Sequence, residues 1–382
     1  MRLTAERLAG ITLARQFPTI RGRGRAAVRQ LFDRLGPVQS QVPRAPFLFA
    51  ASRLPGVAYG TIRDAFAVGD LLKATNLRGT VHTCRPAIFG ALDGVSRRAR
   101  ENDHRRVLGL AEAGLSQAEL ITEIEAFCAG GHRQRSALSE HVLNWLAAHH
   151  ATVRPGTSSS FATNLIWGHS GLIRQPADGR WERRTDTLHR TAVDAYGPGL
   201  AARDHPAAMV ELARVHLAAY GPATRRDIAW WSGSSLGLVD RALAVLADEL
   251  VQLRGPDGAE LIDLADASSR SGADPGLRLL PEFDGLLLGY APPHRGRFLD
   301  PDQLHRIWAR ANGMFSPVVL LDGRIVAGWR ALPGRPATDT VIEVSPLGSP
   351  SPIGSASWDA PVADIAAALG LTVTEVRVLP TA

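Results

Sequence analysis

The chain has 382 residues, of which 45% are hydrophobic and 21% charged, with a formal net charge of +6 and two cysteines, Cys84 and Cys128. It exceeds the roughly 250–300 residues that one hydrophobic core organises, so two to four modules are expected. Two cysteines exclude a disulfide framework, no apolar run approaches the ~20 residues of a membrane span, and the opening MRLTAERLAG lacks the apolar core of a signal peptide, so a cytoplasmic location is expected.

From the N-terminus, helices are expected near residues 4–15, 24–35, 43–53 and 60–67, followed by LLKATNLRGTVHTC, which reads as a hairpin. Between the second and third of these helices lies GPVQSQVPRAP. Each proline fixes its own φ and pushes the preceding residue out of the helical region, so the residues between Pro37 and Pro43 are expected to be extended. Extended chain has a period of two, which puts Gln39 and Gln41 on one side and Val38, Ser40 and Val42 on the other. Two neighbouring amides supply donors and acceptors to one polar object, or they form an ordinary hydrogen-bonded surface loop. In LRGTVHTC the same period puts Arg78, Thr80 and His82 on one face, either a binding face or the wet side of the hairpin.

Further along, LSQAELITEIEAFCA and SALSEHVLNWLAAHH are helical, with Ser116 and Ser136 as N-caps. After the polar GTSSS a shorter helix is expected over 161–169, and GLIRQPADGRWERRT then reads as strand, turn and strand about Asp178-Gly179. The order recurs from Pro206. A helix runs to Tyr220, GPATRRDIAWWSG places Thr224 at an N-cap and Asp227 in the first turn, a helix covers 235–249, and ELVQLRGPDGAELIDL turns at Asp257-Gly258. Helices followed by a hairpin describe the winged helix, and three in series point to nucleic-acid binding. Beyond the linker ASSRSGADPG, strands dominate: LRLLPEFDGLLLGY, SPVVLLDGRIVAGWRAL, TVIEVSPLG and LTVTEVRVLP, interrupted by the helix PVADIAAALG. The expected fold is α+β, with winged helices at 1–85, 86–195 and 196–267 and a small β-barrel or sheet at 277–382.

Arginine supplies nearly all the positive charge, and Lys73 is the single lysine. Clusters at Arg21, Arg23 and Arg25, at Arg97, Arg98, Arg100, Arg105 and Arg106, and at Arg180, Arg183 and Arg184 suit phosphate contact or, equally, solvated faces. Lys73 in the first hairpin and Arg295 and Arg297 in PPHRGR join Arg78, Thr80 and His82 as candidate DNA contacts, with a solvent-facing lysine and a surface turn as the plain alternatives. Trp230 and Trp231 read as core and rim. Cys128 with His132, or His149 with His150, gives no zinc spacing, so neither metal nor cofactor is expected.

LGPVQSQVPRAPFLFAASRLPG, LRGTVHTC, PATRRDIAWWSG and LLPEFDGLLLGY, in that order over nearly the whole chain, resemble the winged-helix DNA glycosylases typified by AlkZ and YcaQ. That family's signature is glutamine, any residue, then glutamine or aspartate. Here the positions are Gln39 and Gln41, so the likeness is to the double-glutamine, AlkZ-like self-resistance glycosylases of antibiotic producers. The resemblance implies a C-shaped protein of three tandem winged helices and a β-barrel that excises N7-alkylated purines, sometimes unhooking interstrand crosslinks, with Gln39 and Gln41 as the catalytic pair.

An amide is a very poor general base, so such a site needs a substrate already prepared to leave. Alkylation at N7 makes the purine cationic, the base departs neutral, and oriented dipoles suffice to hold water, sugar and base in line. Bulky cationic N7 adducts in double-stranded DNA are the expected substrates. Monofunctional chemistry is expected because only Lys73 and the N-terminus offer an amine for a Schiff base, and the expected state is a monomer. A winged-helix transcription regulator and a protein that sequesters an antibiotic without turnover fit the same sequence.

Overall fold

A computed structural model of the chain describes residues 2–153, 160–267, 272, 274–309, 313–334, 339–348, 353 and 357–380, with the backbone alone for 99–107. Most of GTSSS, part of the linker after Ala267, and the side chains of Arg100, Arg105 and Arg106 lie outside the described residues. Among the described residues no helix is long and apolar enough to cross a membrane.

Three stretches share one order of elements: a helix, a short extended segment, two helices and a hairpin whose last strand pairs with that segment. The first comprises Arg25–Leu35, Val38–Gln39, Ala45–Arg53, Tyr59–Ala67 and the strands Leu72–Thr75 and Val81–Cys84. The second comprises Gln117–Phe127, Arg133–Gln134, Arg135–Ala148, Phe161–Gly168 and the strands Leu172–Gln175 and Leu188–Thr191. In the third, His205–Tyr220 leads to a bridge between Ala223 and Ile262, then to Arg225–Ser232, Leu236–Val245 and the strands Leu250–Arg254 and Glu260–Leu264. The long helix Pro86–Val107 connects the first two stretches and packs on His205–Tyr220.

Local chemistry sets the element boundaries. Ser116 and Glu119 form a reciprocal capping box at the start of Gln117–Phe127, and Thr224 and Asp227 do the same for Arg225–Ser232. Ser136 is not a cap: Arg133–Gln134 is held as a strand against His189 and Leu188, so the helix begins at Arg135. The second hairpin also departs from expectation, because its return strand is Leu188–Thr191 and not WERRT. Trp181 is buried against Phe66, ring centroids 4.5 Å apart, and this anchoring draws the intervening residues out of the ladder.

The first two hairpins join edge to edge. Lys73 and Ala74 pair with Arg174 and Ile173, giving one six-stranded sheet across both stretches. Every residue of Leu72–Thr75 and Val81–Cys84 is buried, so the first hairpin has no wet side. The third hairpin stays two-stranded. The N-terminal helix Ala5–Gln16 packs on this third stretch: Arg15 pairs with Asp263 at 2.7 Å, and Leu3, Leu8 and Ile11 bury against Leu261.

The described residues of 277–382 form no closed barrel. Among the described residues the sheet is open, in the spatial order Arg278–Leu280, Val318–Leu321, Arg324–Pro333, Asp339–Pro346 and Thr372–Val378. The last strand is added in parallel, which requires a crossover, and the helix Asp359–Leu369 supplies it while packing on Ala45–Arg53. LRLLPEFDGLLLGY contributes only one strand. Asp284 then caps the short helix Gly285–Leu288 by accepting from the Leu286 N–H. One continuous apolar core runs through the first stretch, the third and this sheet, whereas the second has its own core around Leu120, Ile124, Leu138 and Val142.

Candidate active site

The glutamine segment begins where the helix Arg25–Leu35 turns back on itself. A Cβ on Gly36 would come within 2.6 Å of the Phe32 carbonyl oxygen, so only glycine allows the following strand to lie this close. Val38 and Gln39 then pair with Thr83 and His82, and the Ser40 N–H donates to the Val81 carbonyl at 2.7 Å. There the ladder stops. The Val81 N–H donates to the side-chain Oε1 of Gln41 at 3.1 Å, so this amide stands in for a main-chain acceptor. Ser40 Oγ fixes the bend by donating to the Val38 carbonyl at 2.9 Å and pairing with the Thr83 hydroxyl at 2.8 Å. The run between the prolines is thus strand only at Val38–Gln39, and Gln41 lies in the bend that leads into Ala45–Arg53.

Gln39 is only 8% exposed, and its Oε1 accepts from Arg78 Nη2 at 2.8 Å. Arg78 does not share a strand face with Thr80 and His82. It sits in the turn Leu77–Gly79 with φ of 53°, a left-handed conformation that breaks the alternation of side chains. Its Nη1 donates to the Trp231 carbonyl near the end of Arg225–Ser232, and its guanidinium lies 4.6 Å from the Trp230 ring centroid. Burial first, and the charge of Arg295 second, pull its pKa to about 10, so it remains a cation at neutral pH.

His82 is buried opposite Gln39. Its Nδ1 is 2.9 Å from the Thr80 carbonyl, which can only accept, so Nδ1 carries the proton. Burial, reinforced by Arg78, pulls its pKa to about 3, and the ring is neutral throughout the physiological range. Thr80 Oγ1 donates to the Leu77 carbonyl at 3.1 Å. Gln39 and Arg78 are thus joined directly, whereas the Gln41, Thr80 and His82 side chains are each tied to the main chain of the same hairpin.

Of the other candidate contacts, Lys73 and Arg295 lie inside the protein and Arg297 is half-buried. Lys73 is 1% exposed, not solvent-facing: Nζ donates to the Trp181 carbonyl at 3.2 Å, and burial lowers its pKa to about 8. PPHRGR is not a simple surface turn, because Arg295 points inward. Pro292–Arg297 is a 3-10 helix, with Arg295 buried against the rings of Trp230, Trp308 and Phe315 at 4.6, 5.5 and 5.1 Å, its Nε donating to the Leu287 carbonyl. Arg297 donates to Thr12 Oγ1, the Tyr290 hydroxyl and the Pro222 carbonyl. At Arg295, burial of the apolar stem among rings outweighs exposure of the charge. In the basic clusters, Arg25 pairs with Asp70, Arg97 with Asp93 and Glu125, and Arg184 donates to the Gln41 carbonyl at 3.2 Å.

Two ion pairs that sequence reading did not single out hold the loop from behind. Arg44, three residues after Gln41, meets Glu282 at 2.6 Å, and Arg53 meets Asp284 through both carboxylate oxygens at 2.9 and 3.0 Å. Glu282-Phe283-Asp284 thereby clamps both ends of Ala45–Arg53, with Phe283 itself left-handed at φ of 60°. Partners this distant in the chain leave no spacing signal, although an acid-aromatic-acid run before a glycine marks the segment as unusual.

Residues 32–370 match the family model described as DNA glycosylase AlkZ-like, and the chain belongs to that family of glycosylase enzymes. It is 25% identical, over 402 aligned positions covering 96% of this chain and 97% of the relative, to an interstrand DNA cross-link repair glycosylase of Streptomyces sahachiroi. The solved structure of the Streptomyces sahachiroi DNA glycosylase AlkZ matches with a TM-score of 0.74 at 22% identity, covering 99% of this chain and 100% of that one, a likeness of fold.

Proposed function

We propose that this enzyme hydrolyses the N-glycosidic bond of cationic, N7-alkylated purines in double-stranded DNA, with Gln39 and Gln41 facing the lesion. The observation that carries this reading is the chemistry of the side chains gathered on the first hairpin and the segment paired with it. Two neutral amides, a neutral His82 and a permanently cationic Arg78 offer nothing that would protonate an uncharged leaving base at neutral pH. A base that already carries a positive charge needs no such help. Lys73, the only lysine, is enclosed beneath Trp181, which supports monofunctional hydrolysis over Schiff-base chemistry.

The three repeated stretches are read as tandem winged helices arranged in a C. The third hairpin supports DNA contact best, because Arg225, Arg226 and Arg254 line a cavity of about 630 Å³ with Gln252 and His294. Similarity to an interstrand DNA cross-link repair glycosylase supports crosslinks as substrates, and we extend the reading to bulky natural-product adducts and a role in self-resistance to the alkylating agent. The test incubates the enzyme with duplexes carrying N7-methylguanine or a bulkier N7 adduct, and measures released base and alkali-labile abasic sites. Release is expected from the cationic lesions and not from guanine, uracil or 8-oxoguanine. A Gln39→Ala, Gln41→Ala double variant that still released base at the wild-type rate would sink the reading.

A further inference from the structure

Both amide carbonyls are already engaged by protein donors, and this decides which end of each glutamine a substrate meets. Amide oxygen and nitrogen are alike in shape, but their partners distinguish them: a guanidinium and a backbone N–H only donate, so the atoms facing Arg78 and Val81 are oxygens. The ends left for a ligand are the two Nε2 amino groups. Arg78 is held as firmly as it holds. Its turn is left-handed, Nη1 is fixed by the Trp231 carbonyl, Nη2 by Gln39, and Trp230 lies 4.6 Å from its centre. Rotating the guanidinium breaks both hydrogen bonds at once.

We propose that Arg78 is a positioning residue for the glycosylase reaction, locking Gln39 so that it and Gln41 present a pair of N–H donors to the departing purine instead of acceptors to the attacking water. The proposal rests on the reading that Gln39 and Gln41 face the lesion. When the bond from C1′ to N9 breaks, its electron pair passes to the base and cancels the N7 charge. Density rises on the purine acceptors, where N–H donors stabilise it. Water then forms the new bond to C1′ and releases its proton to solvent. The Arg78 cation polarises the Gln39 carbonyl and so strengthens the N–H groups at the other end of the amide. Because Arg78 also grips the Trp231 carbonyl, the orientation of Gln39 depends on the seating of Arg225–Ser232 against the first hairpin.

Two readouts test this. Side-chain amide resonances of glutamine-¹⁵N-labelled enzyme, with Gln39 assigned by its loss in Gln39→Ala, report the lock directly. In Arg78→Ala the Gln39 signal should shift and broaden, while Gln41 stays in place. Single-turnover release of N7-methylguanine should fall roughly 10- to 100-fold in Arg78→Ala, the range seen when a group that orients a functional side chain is lost, with duplex affinity unchanged. Adding Arg78→Ala to Gln39→Ala should cost nothing further, and millimolar guanidinium should restore part of the rate only where Gln39 is present. Arg78→Lys, which keeps the charge without the fork, should fold if Arg78→Ala does not, and should also be slow. An unchanged Gln39 resonance, or losses that multiply in the double variant, would overturn the proposal. Wild-type enzyme that released no base would instead refute the functional reading, and the resonance would still decide whether Arg78 sets the amide.

Discussion

His82, His189 and His216 are buried as neutral rings, and the fold should therefore fail in mild acid. His82, His189 and His216 have pKa values pulled by burial to about 3, 3 and 4, and each makes one hydrogen bond to a main-chain carbonyl, at Thr80, Thr187 and Gly289. The unfolded chain binds a proton at each below about 6.5, whereas the folded chain does not. A depressed folded-state pKa gives stability that is complete above the unfolded value and is lost as pH falls towards the folded one. Each histidine costs about 1.4 kcal/mol per pH unit inside that window, so three give a slope of about 4 kcal/mol per unit between roughly pH 6 and 4.5. From pH 7.5 to 5.0 the loss is about 2 kcal/mol per ring and about 6 kcal/mol in all, comparable with the ~5–15 kcal/mol that holds a typical domain folded. His294 works in the opposite sense, since its hydrogen bond to Asp227 raises its pKa, but it is partly exposed and offsets little. Urea denaturation at half-unit pH steps measures the slope above the range where carboxylates titrate. His82→Asn, whose Nδ2 can still donate to the Thr80 carbonyl, should remove about a third of it. A slope of one proton or less, or an unchanged slope in His82→Asn, would refute the argument.

Other outcomes follow from the same contacts. Asp284→Ala should lower stability by about 3–5 kcal/mol in urea, because it strands the buried Arg53 charge, whereas Arg53→Met combined with Asp284→Leu should cost much less than the sum of the single changes. Trp181→Ala should cost about 3–5 kcal/mol and expose residues 176–187 to limited proteolysis, read by the appearance of a nick in that segment. Arg295→Met should leave affinity for duplex DNA unchanged in a salt titration, since the side chain lies against three rings in the interior.

How much of this was legible in the sequence depends on how local the cause is. Capping residues and tight turns act within a few positions, so Thr224 with Asp227 and Asp257-Gly258 are where the pattern puts them. Gln39 and Gln41 stood out because flanking prolines restrict their backbone. What stayed hidden depends on partners far along the chain: Trp181 reaching Phe66, Arg53 reaching Asp284, and one hairpin annexing the next. Arginine misled most. At Arg295 the charge suggested phosphate and at Arg78 strand alternation suggested a binding face, but the flat guanidinium is as well suited to stacking on rings, and tertiary packing took that option.

The joined hairpins bear on solubility. A six-stranded sheet would ordinarily offer two long rows of unpaired N–H and C=O groups, a template on which a second chain can zip. Here the bordering strands are Val38–Gln39 and Arg133–Gln134, each two residues long, too short to recruit a neighbour. At one border the next open donor, the Val81 N–H, is stoppered by the Gln41 amide. Trimming that side chain would therefore do more than alter the candidate site. It would uncork the rim of the sheet, and a Gln41 variant kept at high concentration should clump sooner than its Gln39 counterpart.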